Sequence, residues 1–314
     1  ARDAVDNATY FRRGGQLGLE TRRGCPRRCR YCADPLAKGA RSRLRNPTEV
    51  AAEFQALWAQ GIEVLHLCDS EFNIPVAHAH AVCEELVRRR LGQRVQWYAY
   101  LAVVPFDADL ARLMRRAGCV GINFTGDSAS RPMLAVYGQA HGPEDLAEAV
   151  RLCRREGIAV MIDLLLGGPG ETPQTLHQTI HYLRSIDPDC AGAALGIRLY
   201  PGTAMAEQVA AEGPLEANPA IHRRYDGQVD LLRPTFYVSP ALGQQPGQLV
   251  RDMIAGDPRF FEPLDEPPAP HSPQADTGYN YHANQPLVRA IAAGARGAYW
   301  DILRRLRSGE FQFA

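Results

Sequence analysis

Between residues 15 and 212, short apolar runs alternate with amphipathic helical patterns, and this alternation limits the chain to a few architectures. Gln16 to Thr21, Val64 to Cys68, Val95 to Tyr100, Cys119 to Phe124, Ala159 to Leu165 and Ala191 to Tyr200 read as strands. The stretches between them read as helices. Asn46-Pro47-Thr48-Glu49 opens one with a cap residue, a proline at the first helical position and a glutamate at the third, and Gly61 stops it. Ala77 to Arg90, Asp107 to Ala117, Pro143 to Glu156 and a segment opened by Thr172-Pro173 follow. Six strand–helix units predict a parallel sheet, either curled into a barrel or partial barrel or left open and doubly wound. In either case ligands belong at the C-terminal ends of the strands. Beyond residue 213 the pattern changes: residues 257–276 carry six prolines and read as a loop, and Pro286 to Arg307 reads as a closing helix weakened by Gly294 and Gly297.

Of the eight cysteines, Cys68, Cys83, Cys119, Cys153 and Cys190 stand singly in apolar or helical settings and read as small buried hydrophobes. Cys25, Cys29 and Cys32 stand together as C-x3-C-x2-C, directly after the first strand. One short loop with this spacing can hold three irons of a cubane cluster, leaving the fourth iron open, whereas a closed electron-transfer cluster takes four thiolates. A zinc knuckle usually has four ligands, often from two C-x2-C pairs; no second pair exists, and His66 and Cys68 fall inside a predicted strand. A redox pair made of Cys29 and Cys32 leaves Cys25 without a role.

The triplet, with Tyr31 just before its third cysteine, resembles the signature of the radical S-adenosylmethionine (SAM) enzymes. Four strand-end segments match that family as well. Asp69-Ser70-Glu71-Phe72-Asn73 offers polar groups for an amino group, and Asn123-Phe124-Thr125-Gly126-Asp127-Ser128 offers a carboxylate to hydroxyls or ammonium. Leu165 to Thr172 contains Gly167-Gly168-Pro169-Gly170, whose glycines admit close backbone approach; it lacks the Gly-Lys-Ser/Thr ending of a phosphate loop. Arg198-Leu199-Tyr200-Pro201-Gly202-Thr203 resembles the turn of cobalamin-binding radical SAM proteins and methylthiotransferases. More loosely, Pro234 to Pro240 and Tyr279-Asn280-Tyr281 resemble the tails of the tryptophan 2-C-methyltransferase-like group.

The resemblance implies an α/β fold with a partial (β/α)6 TIM-like barrel over residues 15–212. A lead-in over 1–14 precedes it, and a loop-rich and helical extension over 213–314 follows as a substrate cap. It implies that Cys25, Cys29 and Cys32 ligate a [4Fe–4S] cluster. Tyr31, Asp69, Ser70, Glu71, Asn123, Asp127, Ser128, Gly167, Gly168, Arg198 and Pro201 are then the expected SAM contacts. Tyr281 and His282 are the expected catalytic groups of the tail. In such enzymes an electron from the reduced cluster cleaves SAM to a radical that takes hydrogen from substrate, although some relatives transfer methyl groups by polar routes. Methylation of a small metabolite or peptide ranks first, a cobalamin-free rearrangement, cleavage or dehydrogenation second, and a non-catalytic cluster module third. Cobalamin is an optional cofactor. Its Asp-x-His-x-x-Gly signature does not occur in these 314 residues, so its domain is expected in further sequence or on a partner if it is used.

Charge adds a partner. Residues 1–45 hold twelve Arg or Lys against four acids, although the whole chain is neutral. That distribution suits an electropositive mouth attracting an acidic electron donor such as a flavodoxin or ferredoxin. Aromatic residues are not interleaved with the basic ones, which argues against nucleic acid. No long apolar run or signal peptide is visible, so no membrane contact and a cytoplasmic location are expected.

Overall fold

The computed structural model describes residues 4–222, 235–263 and 284–310. Its centre is a seven-stranded sheet made of β1 (Gly18–Leu19), β2 (Val64–Leu67), β3 (Gln96–Ala102), β4 (Cys119–Asp127), β5 (Ala159–Leu166), β6 (Cys190–Leu195) and β7 (Phe260–Phe261). Neighbours in chain order are neighbours in space, and every pair is parallel. A doubly wound sheet needs a reversal of strand order; none occurs here. Right-handed crossovers in an unreversed order place every helix on one face, and the sheet curls into a partial barrel.

Alternation along the strands divides the molecule into two environments. Leu65, Leu67, Trp97, Leu101, Ile122, Phe124, Val160 and Ile162 point outward into the core beneath the helices. His66, Tyr98, Tyr100, Asn123, Met161 and Asp163 line an interior cavity. The helices start where side chains can satisfy their free N–H groups. Asn46 accepts from Thr48 N–H ahead of Pro47–Trp58, Asp107 from Leu110 N–H ahead of Ala108–Arg116, and Thr172 from Thr175 N–H ahead of Pro173–Ile186.

Four expectations change. The sixth strand ends at Leu195, because Gly196 (φ +96°) turns the chain; Ile197–Arg198 belongs to a separate antiparallel sheet with Phe236–Tyr237 and Ile221–His222. Within the proline-rich stretch, Phe260–Phe261 forms β7 between Pro258 and Pro263, an edge position that proline tolerates. The closing helix is two helices, Gln285–Ala292 and Tyr299–Arg307, separated where Gly294 (φ +102°) and Gly297 (φ +135°) leave the helical region. Finally, Cys68 is exposed just past the end of β2, whereas Cys83, Cys119, Cys153 and Cys190 are buried. The two C-terminal helices cluster with Val64, Met161 and Cys190, which lie at or near the N-terminal ends of β2, β5 and β6. They therefore plug the barrel from the end opposite the cysteines.

Candidate active site

The cysteine loop leaves β1 and is tied down along its length. Cys25 N–H donates to Gly39 O at 2.9 Å, Arg30 N–H to Tyr137 O at 2.9 Å, and Met205 N–H to Arg30 O at 2.8 Å. Gly24 sits at φ +95°, and any Cβ there would collide with the Arg41 carbonyl, so only glycine fits. The three thiols are free; Cys25 is buried, Cys29 and Cys32 are half-buried, and burial pushes all three up, Cys32 to about 11. Among the described residues no three His, Cys, Asp or Glu side chains converge on a single-ion site. A cubane spreads its three cysteines over separate irons and needs no such convergence. Around the loop Arg23, Arg28, Arg41 and Arg43 are exposed beside exposed Leu36 and Leu44.

Beneath the loop, Asp69 is fully engaged. It accepts from Thr21 N–H (2.8 Å), the Thr21 hydroxyl (2.6 Å) and Arg22 N–H (3.1 Å). The buried Arg22 guanidinium donates to the carbonyls of Gly24 and Glu71, coupling the strand end to the loop.

On the cavity side, the Tyr31 hydroxyl donates to Asp127 at 2.8 Å, and the Gln139 amide donates both to that carboxylate and to Cys29 Sγ at 3.6 Å. A bulge brings Asp127 there: the register with β5 slips between Thr125 and Asp127, and Asp127 adopts φ +56°. Glu71 Oε1 accepts from the Thr125 hydroxyl at 2.9 Å, while Oε2 is buried with no hydrogen-bond partner among the described residues. Burial raises Glu71 to about 7 and Asp127 to about 6. Below them the cavity encloses 1020 Å³ and reaches down to Trp300.

Of the residues expected to bind SAM, Tyr31, Asn123 and Asp127 line this cavity. Ser70 Oγ is buried without a hydrogen-bond partner among the described residues. Ser128 turns outward, its hydroxyl 2.8 Å from that of Thr179 and accepting from Ser130 N–H. Gly167 N–H donates to Glu171 at 2.8 Å and Gly168 N–H to the Tyr137 hydroxyl at 3.2 Å, so this loop is braced on itself. Arg198 stacks 4.8 Å over the Tyr200 ring in the small antiparallel sheet, and Pro201 is exposed in the following turn. Tyr281 and His282 lie outside the described residues.

The structure adds Gln139, Asp163 and Trp300, which sequence reasoning passed over, and gives Thr125 and His66 partners, Glu71 and Tyr98, that the sequence did not show. Asp163 had a signal: it is the lone charge in the apolar strand Ala159–Leu166. Gln139 had none, since its partners lie 110 and 12 residues away. His66 stacks on Tyr98 at 5.2 Å, and burial lowers its pKa to about 4, opposed by its hydrogen bond to the Gly297 backbone, which raises it. The unfolded chain then binds a proton near pH 6.5 that the folded chain refuses until about 4. We expect stability to drop as pH is lowered from about 6.5 to about 4, by up to about 1.4 kcal/mol per pH unit. A urea series from neutral to mildly acidic pH checks this, and His66→Gln should flatten the slope.

Residues 19–183 match the Radical SAM superfamily, more than half of the chain. The chain belongs to that superfamily. Radical SAM proteins use a [4Fe–4S] cluster and SAM. Tryptophan 2-C-methyltransferase of Streptomyces laurentii is 36% identical over 218 residues, 66% of this radical SAM chain and 36% of the relative. An uncharacterized methyltransferase of Pyrococcus horikoshii is 28% identical over 62% of the chain and 42% of its own length. The chain thus spans well under half of these curated relatives. The solved structure of the radical SAM methyltransferase TsrM from Kitasatospora setae, with tryptophan and a SAM analogue bound, superposes with a TM-score of 0.86 at 30% identity. That match covers 98% of this chain and 65% of the other. The same enzyme has been solved with cobalamin and a [4Fe–4S] cluster. Among the described residues no helix is long and apolar enough to cross a membrane.

Proposed function

We propose that this chain is the cluster- and SAM-binding unit of a methyltransferase acting on a small molecule. The observation that carries this reading is three free thiols in one braced loop, with Tyr31 and Asp127 joining that loop to a large interior cavity. Cys25, Cys29 and Cys32 suit a cubane because the loop supplies three soft donors and no fourth. Glu71 suits the ammonium of SAM, since its orphaned Oε2 gains a charged donor there. Bound at this mouth, cluster and SAM would supply one-electron chemistry and a transferable methyl group.

The chain's own residues supply position. Tyr31 and Gln139 hold Asp127 toward the ligand, and Thr125 orients Glu71. The aromatic rings below give the reacting groups an apolar wall. The exposed arginines around the loop would receive an acidic electron donor. Methyl transfer follows the two curated relatives, and cobalamin, which the Kitasatospora enzyme binds, would come from polypeptide outside these residues. The test is anaerobic reconstitution followed by EPR of the reduced cluster. Adding SAM should change the spectrum; an unchanged spectrum would sink this reading.

A further inference from the structure

We propose that Asp163 is the substrate-recognition carboxylate of the deep cavity, where it takes the protonated amine of a flat aromatic molecule. The proposal rests on the preceding reading only in placing substrate below the mouth. Asp163 points inward from β5, three residues before the strand ends at Leu166, hence ~10 Å beneath the mouth.

Two neighbours fix it. Asn123 Nδ2 donates to Asp163 Oδ2 at 3.0 Å, and Asn123 Oδ1 accepts the Trp300 indole N–H at 2.7 Å. An indole nitrogen only donates, so the amide is oriented with its NH2 toward the carboxylate. Asp163 Oδ1 then faces room left by Gly192. A Cβ at that glycine would stand 3.3 Å from Oδ1 and 2.7 Å from Met161 Cε, so the space depends on the missing side chain. None of these groups serves the cluster loop.

The walls define the rest of the ligand. Tyr98, Tyr100, Phe236, Phe261 and Trp300 present rings to the cavity. Such faces accept a planar group and attract a cation. The described lining contains Asp127, Asp163 and Glu262 and neither lysine nor arginine. That field favours an ammonium and repels a second carboxylate. Burial also pushes Asp163 up to about 6, a desolvation that a bound cation would relieve.

The test uses the cluster-loaded chain and two probes that share a naphthyl group and carry opposite charge, 2-(1-naphthyl)ethylamine and 3-(1-naphthyl)propanoate. The wild type should bind the amine roughly tenfold or more tightly than the acid. D163N should lose that advantage, the amine weakening and the acid holding or gaining affinity, and Gly192→Val should exclude both probes. Iron content reports folding; if D163N loads no iron, Gly192→Val decides. Equal affinities, no binding of the amine to the wild type, or amine binding unmoved by the variants overturns the proposal. SAM-dependent EPR recorded on the same samples isolates the preceding reading. A missing SAM response with intact discrimination between probes removes that reading alone, and the converse removes Asp163 alone.

Discussion

Cys29→Ala should lose its iron and sulfide entirely and, with them, every SAM-dependent turnover, while keeping its fold. The reason lies in how the loop is held. Its backbone bonds to Gly39, Tyr137 and Met205 do not involve the thiol, and Cys29 Sγ receives the side-chain donors of Gln139 and Arg27. Removing a half-buried thiol from such a loop costs about 1 kcal/mol. Removing one of three ligands leaves two irons of a cubane without protein thiolates. Anaerobic reconstitution with iron and sulfide assay reads the first effect, and urea unfolding reads the second. A variant that retained full iron would refute the ligand assignment; one that unfolded would show that the loop is built around the thiol.

Asp69→Ala should do the reverse, costing about 3–5 kcal/mol of stability. Asp69 is 3% exposed, and its loss strands three donors on Thr21 and Arg22 in a place water does not reach. Each buried donor left unmet costs about 1–3 kcal/mol. Arg22, 1% exposed, also loses its nearby countercharge. Asp69→Asn keeps the volume and one acceptor oxygen, so it should cost about half as much. Urea unfolding separates this brace from a ligand contact. If Asp69 mainly held SAM, the Asn variant would keep its stability and weaken SAM binding instead.

Asp69 also shows what the sequence could and could not convey. Its position at a strand end was visible, because strand ends follow from local alternation and helix caps. Its role was not, because that depends on Thr21 and Arg22, 48 and 47 residues upstream. The cysteine triplet was legible for the opposite reason: all three donors lie within one loop. The strand order was legible up to its choice between curled and doubly wound forms, which local patterns share. The boundary at Gly196 and the break between the last two helices each turned on a glycine with positive φ. A one-dimensional pattern registers such a residue as a weakness rather than as a turn. Ser128, read as a ligand contact, bonds to Thr179 because the bulge at Gly126 redirects the chain there.

Strand β6, Cys190-Ala191-Gly192-Ala193-Ala194-Leu195, builds one wall of the cavity almost entirely from hydrogen atoms and methyl groups. Its consequence is evolutionary. Single-base changes convert glycine codons to alanine or valine, and alanine codons to valine, threonine or serine. At Ala194 each such step subtracts a small increment of room, and at Gly192 a larger one beside Asp163, while the ladder to β5 stays paired. Descendants of this chain can therefore diverge in the molecules they admit, one methyl at a time, and still share a superimposable backbone.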